Sequence, residues 1–263
     1  MRTGIVTILA SVFLAVPTFS ETNHSKGVFD LTLVVQDKNW KEDLNNGKNL
    51  EESGILIGLA ASGHTSLLST RAFHYLGMVY GGTIDYDGYI IDLSGNMTPY
   101  KSETSYGGLL GEFDVSWNML DADDMQARPF VGAGSRFWLR QLDDGGIYGY
   151  DEYWLTIYAR AGLIISFQPG PDTTWYASGA LILPVYNYEW VLNVPFAPDD
   201  QIELKPRKRT GYRLESGIRH GRFTAALFHE ALDFGQSPPD KSGVFYQPAS
   251  EMRLTGIRAG ISF

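Results

Sequence analysis

The chain has 263 residues, with 21 Lys and Arg against 30 Asp and Glu and a net charge of −9. A surplus of acid disfavours nucleic acid as a partner, and the absence of cysteine rules out a disulfide framework and a thiol nucleophile. Gly (29), Tyr (15), Phe (14) and Trp (6) are spread along the chain without a linker-like block, which favours one large domain.

The first twenty residues, MRTGIVTILASVFLAVPTFS, read as a cleaved signal peptide. Arg2 is the charged start, Ile5 to Val16 the apolar run, and Thr18 and Ser20 the small residues before the cut. The run is shorter than the roughly 18 residues of a spanning helix. The expected organisation is a signal peptide over 1–20 and one folded domain over 21–263. Without Arg2 the 21 basic residues become 20 against 30 acidic ones, a mature charge of −10.

Beyond residue 20 period two dominates. In YWLTIYARAGLIISF, Tyr153, Leu155, Ile157, Ala159, Ala161, Leu163, Ile165 and Phe167 are all apolar, and the residues between them are mixed. The same reading gives ten segments, near 28–39, 53–62, 71–87, 103–118, 129–141, 152–167, 173–188, 209–219, 222–233 and 251–263. Connections near 40–52, 88–102, 142–151, 189–208 and 234–250 are long, and those near 63–70, 119–128, 168–172 and 220–221 are mostly shorter. Such alternation is expected of a membrane barrel with long extracellular loops and short periplasmic turns.

A soluble sandwich alternates too, but its non-core face would carry ordinary surface charge. Here that face gathers glycine and arginine: Gly132, Gly134, Arg136, Trp138 and Arg140 oppose Val131, Ala133, Phe137 and Leu139. Belt aromatics are expected on the oily face at Tyr80, Tyr86, Trp117, Tyr153, Phe167, Trp175, Tyr212 and Phe223. The last segment, MRLTGIRAGISF, is similar to the C-terminal signature of Gram-negative outer-membrane barrels, which implies that Phe263 is read by the barrel-assembly machinery. The predicted fold is therefore an all-β, closed antiparallel transmembrane barrel of about ten strands over 21–263, in the outer membrane of a Gram-negative bacterium.

On that fold Asp30, Asp85, Asp87, Glu112, Asp114, Arg136, Arg140, Arg160, Arg213, Glu215, Arg219, Glu230 and Arg258 are expected to point inward. About ten strands enclose a lumen little wider than its own side chains. Opposed charges there should pair and fill it rather than line an open pore.

Asp85 and Asp87 lie in GGTIDYDGYIID. With EFDVSWNML and RPFVGAGSRF, that stretch resembles the omptins, ten-stranded outer-membrane proteases, over roughly residues 77–137. The resemblance implies that the two aspartates, at the extracellular strand end, work with an Asp–His pair on a facing loop to activate a water. The corresponding loop, 189–208, holds Asp199 and Asp200 but no histidine, so a general base titrating near neutrality is missing. His229 is expected on the lipid face beside an inward Glu230, His74 and His220 near periplasmic ends, His24 in the mature N-terminus, and His64, with Ser66, in a periplasmic turn. Three readings of Asp85 and Asp87 stay open: partners of inward arginines such as Arg140 or Arg209, a hydrolytic site, or a ligand or cation site with Asp92, although the spacing matches no calcium loop.

The expected role is structural or surface-interacting, with an omptin-like hydrolase and a narrow solute channel as alternatives. No cofactor or metal is expected. Expected partners are outer-membrane lipid, lipopolysaccharide, the assembly machinery through Phe263, and a surface ligand at the loops 142–151 and 234–250.

Overall fold

The computed structural model describes residues 27–44, 48–68, 70–91, 97–122, 124–143, 149–193 and 201–263. Ten long strands form the wall: β1 (Val28–Leu44), β2 (Lys48–Leu68), β3 (Arg71–Ile91), β4 (Met97–Trp117), β6 (Met125–Asp143), β7 (Tyr150–Gly170), β8 (Thr173–Leu192), β11 (Gly211–His220), β12 (Phe223–Gly235) and β13 (Ala249–Ser262). Three short strands lie beside them: β5 (Leu120–Ala122) on β6, β9 (Gln201–Leu204) on β8 and β10 (Arg207–Lys208) on β12. Each long strand pairs antiparallel with its sequence neighbour, and β1 pairs with β13 from Asp30↔Ser262 to Asp43↔Ala249. The Phe263 amide donates to the Phe29 carbonyl at 2.8 Å, so the ladder closes at the final residue. A closed ladder leaves no backbone edge in hydrocarbon.

Alternation then sorts the side chains. Leu31, Leu33, Ile57, Leu59, Val79, Val131, Leu181, Leu214, Leu227 and Ile257 are exposed on the outer face and form an apolar belt, although water is not what they would meet. Below them Phe73, Phe113, Trp117, Phe167, Trp175, Phe223 and Phe263 ring the periplasmic edge, where amphipathic rings favour the interface. The turn 221–222 shows how tightly that end is closed: Gly221, at φ +56°, takes a left-handed conformation that costs other residues more.

The outer face changes character partway up each strand. On β1, Leu31, Leu33 and Val35 are followed on the same face by Asp37, Asn39, Lys41 and Asp43, and on β2 the belt ends below Ser53 and Glu51. Strands β1 to β4 thus continue past the membrane as a free-standing wall, on the order of 20 Å tall at about 3.3 Å per residue and a tilted path. The connection expected over 40–52 shrinks to residues 45–47, because alternation continues through Lys38, Trp40 and Glu42, all buried, and Glu52 opposite.

The lumen is filled along most of its height. Val34, Leu56, Met78, Leu110, Ile182, Phe228 and Leu254 form an apolar middle layer. Tyr80 and Tyr158 lie flat on glycines of the adjoining strand: a Cβ at Gly134 would stand 2.5 Å from the Tyr158 ring, and one at Gly108 still closer to Tyr80. Tyr80 and Tyr86, expected in the lipid belt, are in fact buried inside. Stretch 71–91 has apolar residues on both parities, and above the membrane it is the interior that is dry.

Placement of the belt predicts a contrast within one strand. Leu59→Lys should cost about 2–4 kcal/mol, the penalty of a cation facing lipid, whereas Ser53→Lys, on the same face above the belt, should change stability by less than about 0.5 kcal/mol. Urea unfolding of the refolded barrel, followed by heat-modifiable gel mobility, measures both; equal costs would put the membrane elsewhere.

Candidate functional site

Two ends of the lumen could hold chemistry. At the extracellular end, Asp85 and Asp87 do not enter it. Their strand neighbours Ile84 and Tyr86 are buried in the core, so both carboxylates project outward and are exposed. Register places Asp85 between Ser53 and Glu103, and Asp87 between Glu51 and Lys101. Asp87 accepts from the Lys101 ammonium at 2.6 Å, an exposed pair of the kind that contributes little. The inward position expected for the aspartates is therefore corrected, and with it their pairing with Arg140 or Arg209. Asp92, Asp199, Asp200 and His24 lie outside the described residues.

A different constellation occupies the upper lumen. Arg140 on β6 meets Glu42 of β1 at 3.3 Å, Glu52 of β2 at 2.9 Å and Glu152 of β7 at 2.6 Å, all buried. Glu52 also accepts from the Thr104 hydroxyl at 2.8 Å and from the Tyr106 hydroxyl, and the Trp154 indole N–H donates to Glu152 at 3.0 Å. Trp40, Trp138, Trp154 and Phe234 pack beneath this cluster with ring centroids 5.2–6.3 Å apart, and the Lys38 ammonium stands 3.3 Å from the Tyr106 ring centre. Glu189 is fully buried nearby, with neither carboxylate oxygen hydrogen-bonded. Arg140 braces Glu42, Glu52 and Glu152, and among the described residues no imidazole stands beside them. Sequence reasoning missed Glu42, Glu52 and Glu189 because they fall in stretches that read as loops, and Glu152 because it opens its segment beside the connection 142–151, yet the alternation of Lys38, Trp40 and Glu42 was there to be followed.

Deeper down the expected inward charges are all present. Arg136 on β6 reaches Glu230 on β12 at 2.5 Å across the lumen. Arg160 binds Glu112, and its Nε lies 3.2 Å from Asp114. Arg213 joins Glu215 at 3.1 Å and approaches Glu112 and Glu230 at 3.7 and 3.5 Å, while Arg258 binds Glu215. Below this floor a cavity of about 480 Å³ opens at the periplasmic end. Its wall carries His64 and His74, cross-strand neighbours with ring centroids 5.5 Å apart, and His74 Nε2 lies 2.8 Å from the Ser116 hydroxyl. His64 thus lies within β2 and faces the lumen rather than occupying the turn. His229 keeps its outward parity, bonding Thr255 at 2.8 Å, with Glu230 buried behind it. Among the described residues no group of three or more His, Cys, Asp or Glu is placed to hold a metal ion.

At the extracellular rim, the segment 236–248 is organised around one carboxylate. Asp240 accepts from the Ser242 hydroxyl at 2.7 Å and from the amides of Ser242, Val244 and Phe245 at 3.1, 3.2 and 3.0 Å. The Ser242 hydroxyl first, then these amides, hold its carboxyl below the usual range.

No protein-family model matches this sequence, and no curated protein matches it either. Solved structures do. The outer membrane protease OmpT from Escherichia coli aligns over 94% of this chain and 99% of its own at 11% identity, with a TM-score of 0.62. The transport unit of the autotransporter AIDA-I from Escherichia coli aligns over 98% and 96% at 10% identity and a TM-score of 0.46, and the translocator domain of NalP from Neisseria meningitidis over 90% and 89% at 6% and 0.42.

Two predictions follow the geometry. Arg140→Met should cost about 3–5 kcal/mol in urea unfolding, because it strands buried Glu52 and Glu152, whereas Asp85→Asn and Asp87→Asn should each stay within about 0.5 kcal/mol of wild type. Asp240 has a depressed folded pKa, so its contribution is present above the unfolded value of about 4 and is lost as pH falls through the folded value. Cleavage within 241–247 by an acid protease should therefore rise steeply below about pH 4, and Asp240→Asn should make trypsin cut after Lys241 severalfold faster at neutral pH. Unchanged trypsin kinetics would show that the carboxylate does not hold the segment. In fold, the chain is a ten-stranded antiparallel β-barrel, closed between its first and last strands and similar to the barrel of OmpT.

Proposed function

We propose that this protein, exported by its signal peptide 1–20 and assembled through its terminal Phe263, is a non-conducting outer-membrane barrel that serves as a surface-interaction scaffold. What supports this reading is the contrast between a solid lumen and a bare basic ledge outside it. The middle layer and the Arg136–Glu230 pair leave only buried side chains between the two ends. On the outer wall Lys205, Arg207 and Arg209 are exposed, Lys208 between them is exposed too, and none of the four forms an ion pair among the described residues, in a chain with net charge −9. Four cations within five residues that repel one another without compensation suit a polyanionic partner.

Location favours a particular anion. Lys205 stands 5.9 Å from the Tyr188 ring centre, and Tyr186, Tyr188 and Trp190 form an aromatic ledge at the upper edge of the belt. Aromatic rings sit at headgroup level, so the ledge brings the cations to the phosphates of lipopolysaccharide in the outer leaflet. Above it, the polar wall and the segment 236–248 stand free to meet a surface ligand.

Electrical recording and lipid binding test the two halves separately. In planar bilayers the protein should give no conductance steps; steps that collapse on Arg136→Ala would replace the scaffold with a channel. Lipopolysaccharide added to detergent-refolded protein should raise Tm by several degrees, a gain that shrinks with salt. Replacing Lys205, Arg207, Lys208 and Arg209 together by Gln should abolish the gain while leaving the lipid-free Tm unchanged. A gain that survives the replacement would place the lipid contact elsewhere.

A further inference from the structure

The cavity at the periplasmic mouth is independent of the surface role. Five arginines line it. Arg160, Arg213, Arg219 and Arg258 each have a carboxylate partner, but Arg128 has none among the described residues. Its side chain donates to Gln126 at 2.8 Å, and its Nε is buried without an acceptor. Arg219 commits one terminal nitrogen to Asp30 at 2.6 Å and leaves its own Nε buried and unbonded. His64 and His74 open on the same space.

A guanidinium carries five N–H donors in a planar fork that matches a carboxylate or phosphate, and a buried donor without an acceptor is costly. Five carboxylates share the lining, Asp30, Glu112, Asp114, Asp124 and Glu215. Water can fill such a space, but an anion would give the Arg128 guanidinium the charged partner it lacks among the described residues, and charge-assisted bonds are about twice as strong as neutral ones. We propose that the mouth is a binding site for a small phosphate- or carboxylate-bearing solute from the periplasm, held by Arg128 and Arg219 with His64 and His74 as further ring-nitrogen partners. The site is blind. Glu112, Arg160 and Arg213 floor it, and Tyr80 and Tyr158 close the lumen above, so solute leaves by the route it took in.

The test uses the full mature barrel refolded in detergent and titrated at constant ionic strength with inorganic phosphate and, separately, with succinate, while the histidine ring signals are followed by NMR. His64 and His74 should shift saturably, and His220 and His229, which do not line the cavity, should not. Response to phosphate alone identifies a phospho-solute and response to succinate alone a carboxylate; either supports the site. Arg128→Gln and Arg219→Gln should each weaken binding about tenfold or more, as expected for loss of a charge-assisted bond. No saturable shift with either probe, equal drift of His64, His74, His220 and His229, or unchanged affinity in both variants overturns the proposal. Should a variant fail to fold, the wild-type difference between the His64/His74 and His220/His229 signals still decides.

Discussion

Every backbone N–H and C=O that crosses hydrocarbon must be paired inside the protein, and here the pairing of β1 with β13 is what completes the set. Closure has a consequence for side chains that an open sheet would not impose. Each strand must send one parity to lipid and the other to the axis, so polar residues barred from lipid are pressed together within the ring. Ten strands leave little space there. Isolated charges in it would be costly, and the arrangement offsets this by sharing ions among several partners: Arg140 has three carboxylates, and Glu112 has Arg160, Arg213 and the Tyr158 hydroxyl. Because those partners come from different strands, the network also ties opposite walls, as Arg136 and Glu230 do across β6 and β12.

Above the membrane the same alternation changes meaning. Lipid no longer meets the outer face, so Asp37, Asn39, Glu51, Ser53, Asp85 and Asp87 can occupy it. The inner face becomes the dry one, and it takes Trp40, Trp138, Trp154, Ile84, Tyr86 and Phe234. A chain of this kind is oily outside and charged inside at one height, and polar outside and largely aromatic inside at another.

That reversal explains what was legible in the sequence and what was not. Strand number, closure at Phe263 and most inward charges were readable, because within the membrane period two has a single interpretation. In 129–141 the glycines and arginines fall on one side and the aliphatics on the other. In 71–91 both parities are apolar, Tyr75 and Val79 on one and Leu76, Met78 and Tyr80 on the other, and the segment crosses the height at which the rule inverts. Parity assigned from the aromatic residues there came out backwards. Strand ends suffered similarly: a polar outer face above the belt looks like a loop, which hid Glu42, Glu52 and Glu189.

A fold shared with another barrel does not fix which side chains face the mouth, and β3 shows the physical reason. Side-chain period is two, so placing Asp85 and Asp87 at the mouth requires a slip of one residue against β2 and β4. The slip would bring the aspartates inward but would turn Ile84 and Tyr86 out to water, forfeiting roughly 1.5–3 kcal/mol for each large apolar side chain exposed. It would also set two more carboxylates beside Glu52 and Glu42, where Arg140 already serves three. The inward positions at that height are committed to packing, and Glu42, Glu52 and Glu152 are bound to one another through a single guanidinium. The places that closure does not constrain are the outer wall, with its exposed cations, and the periplasmic mouth, where Arg128 forms no ion pair among the described residues.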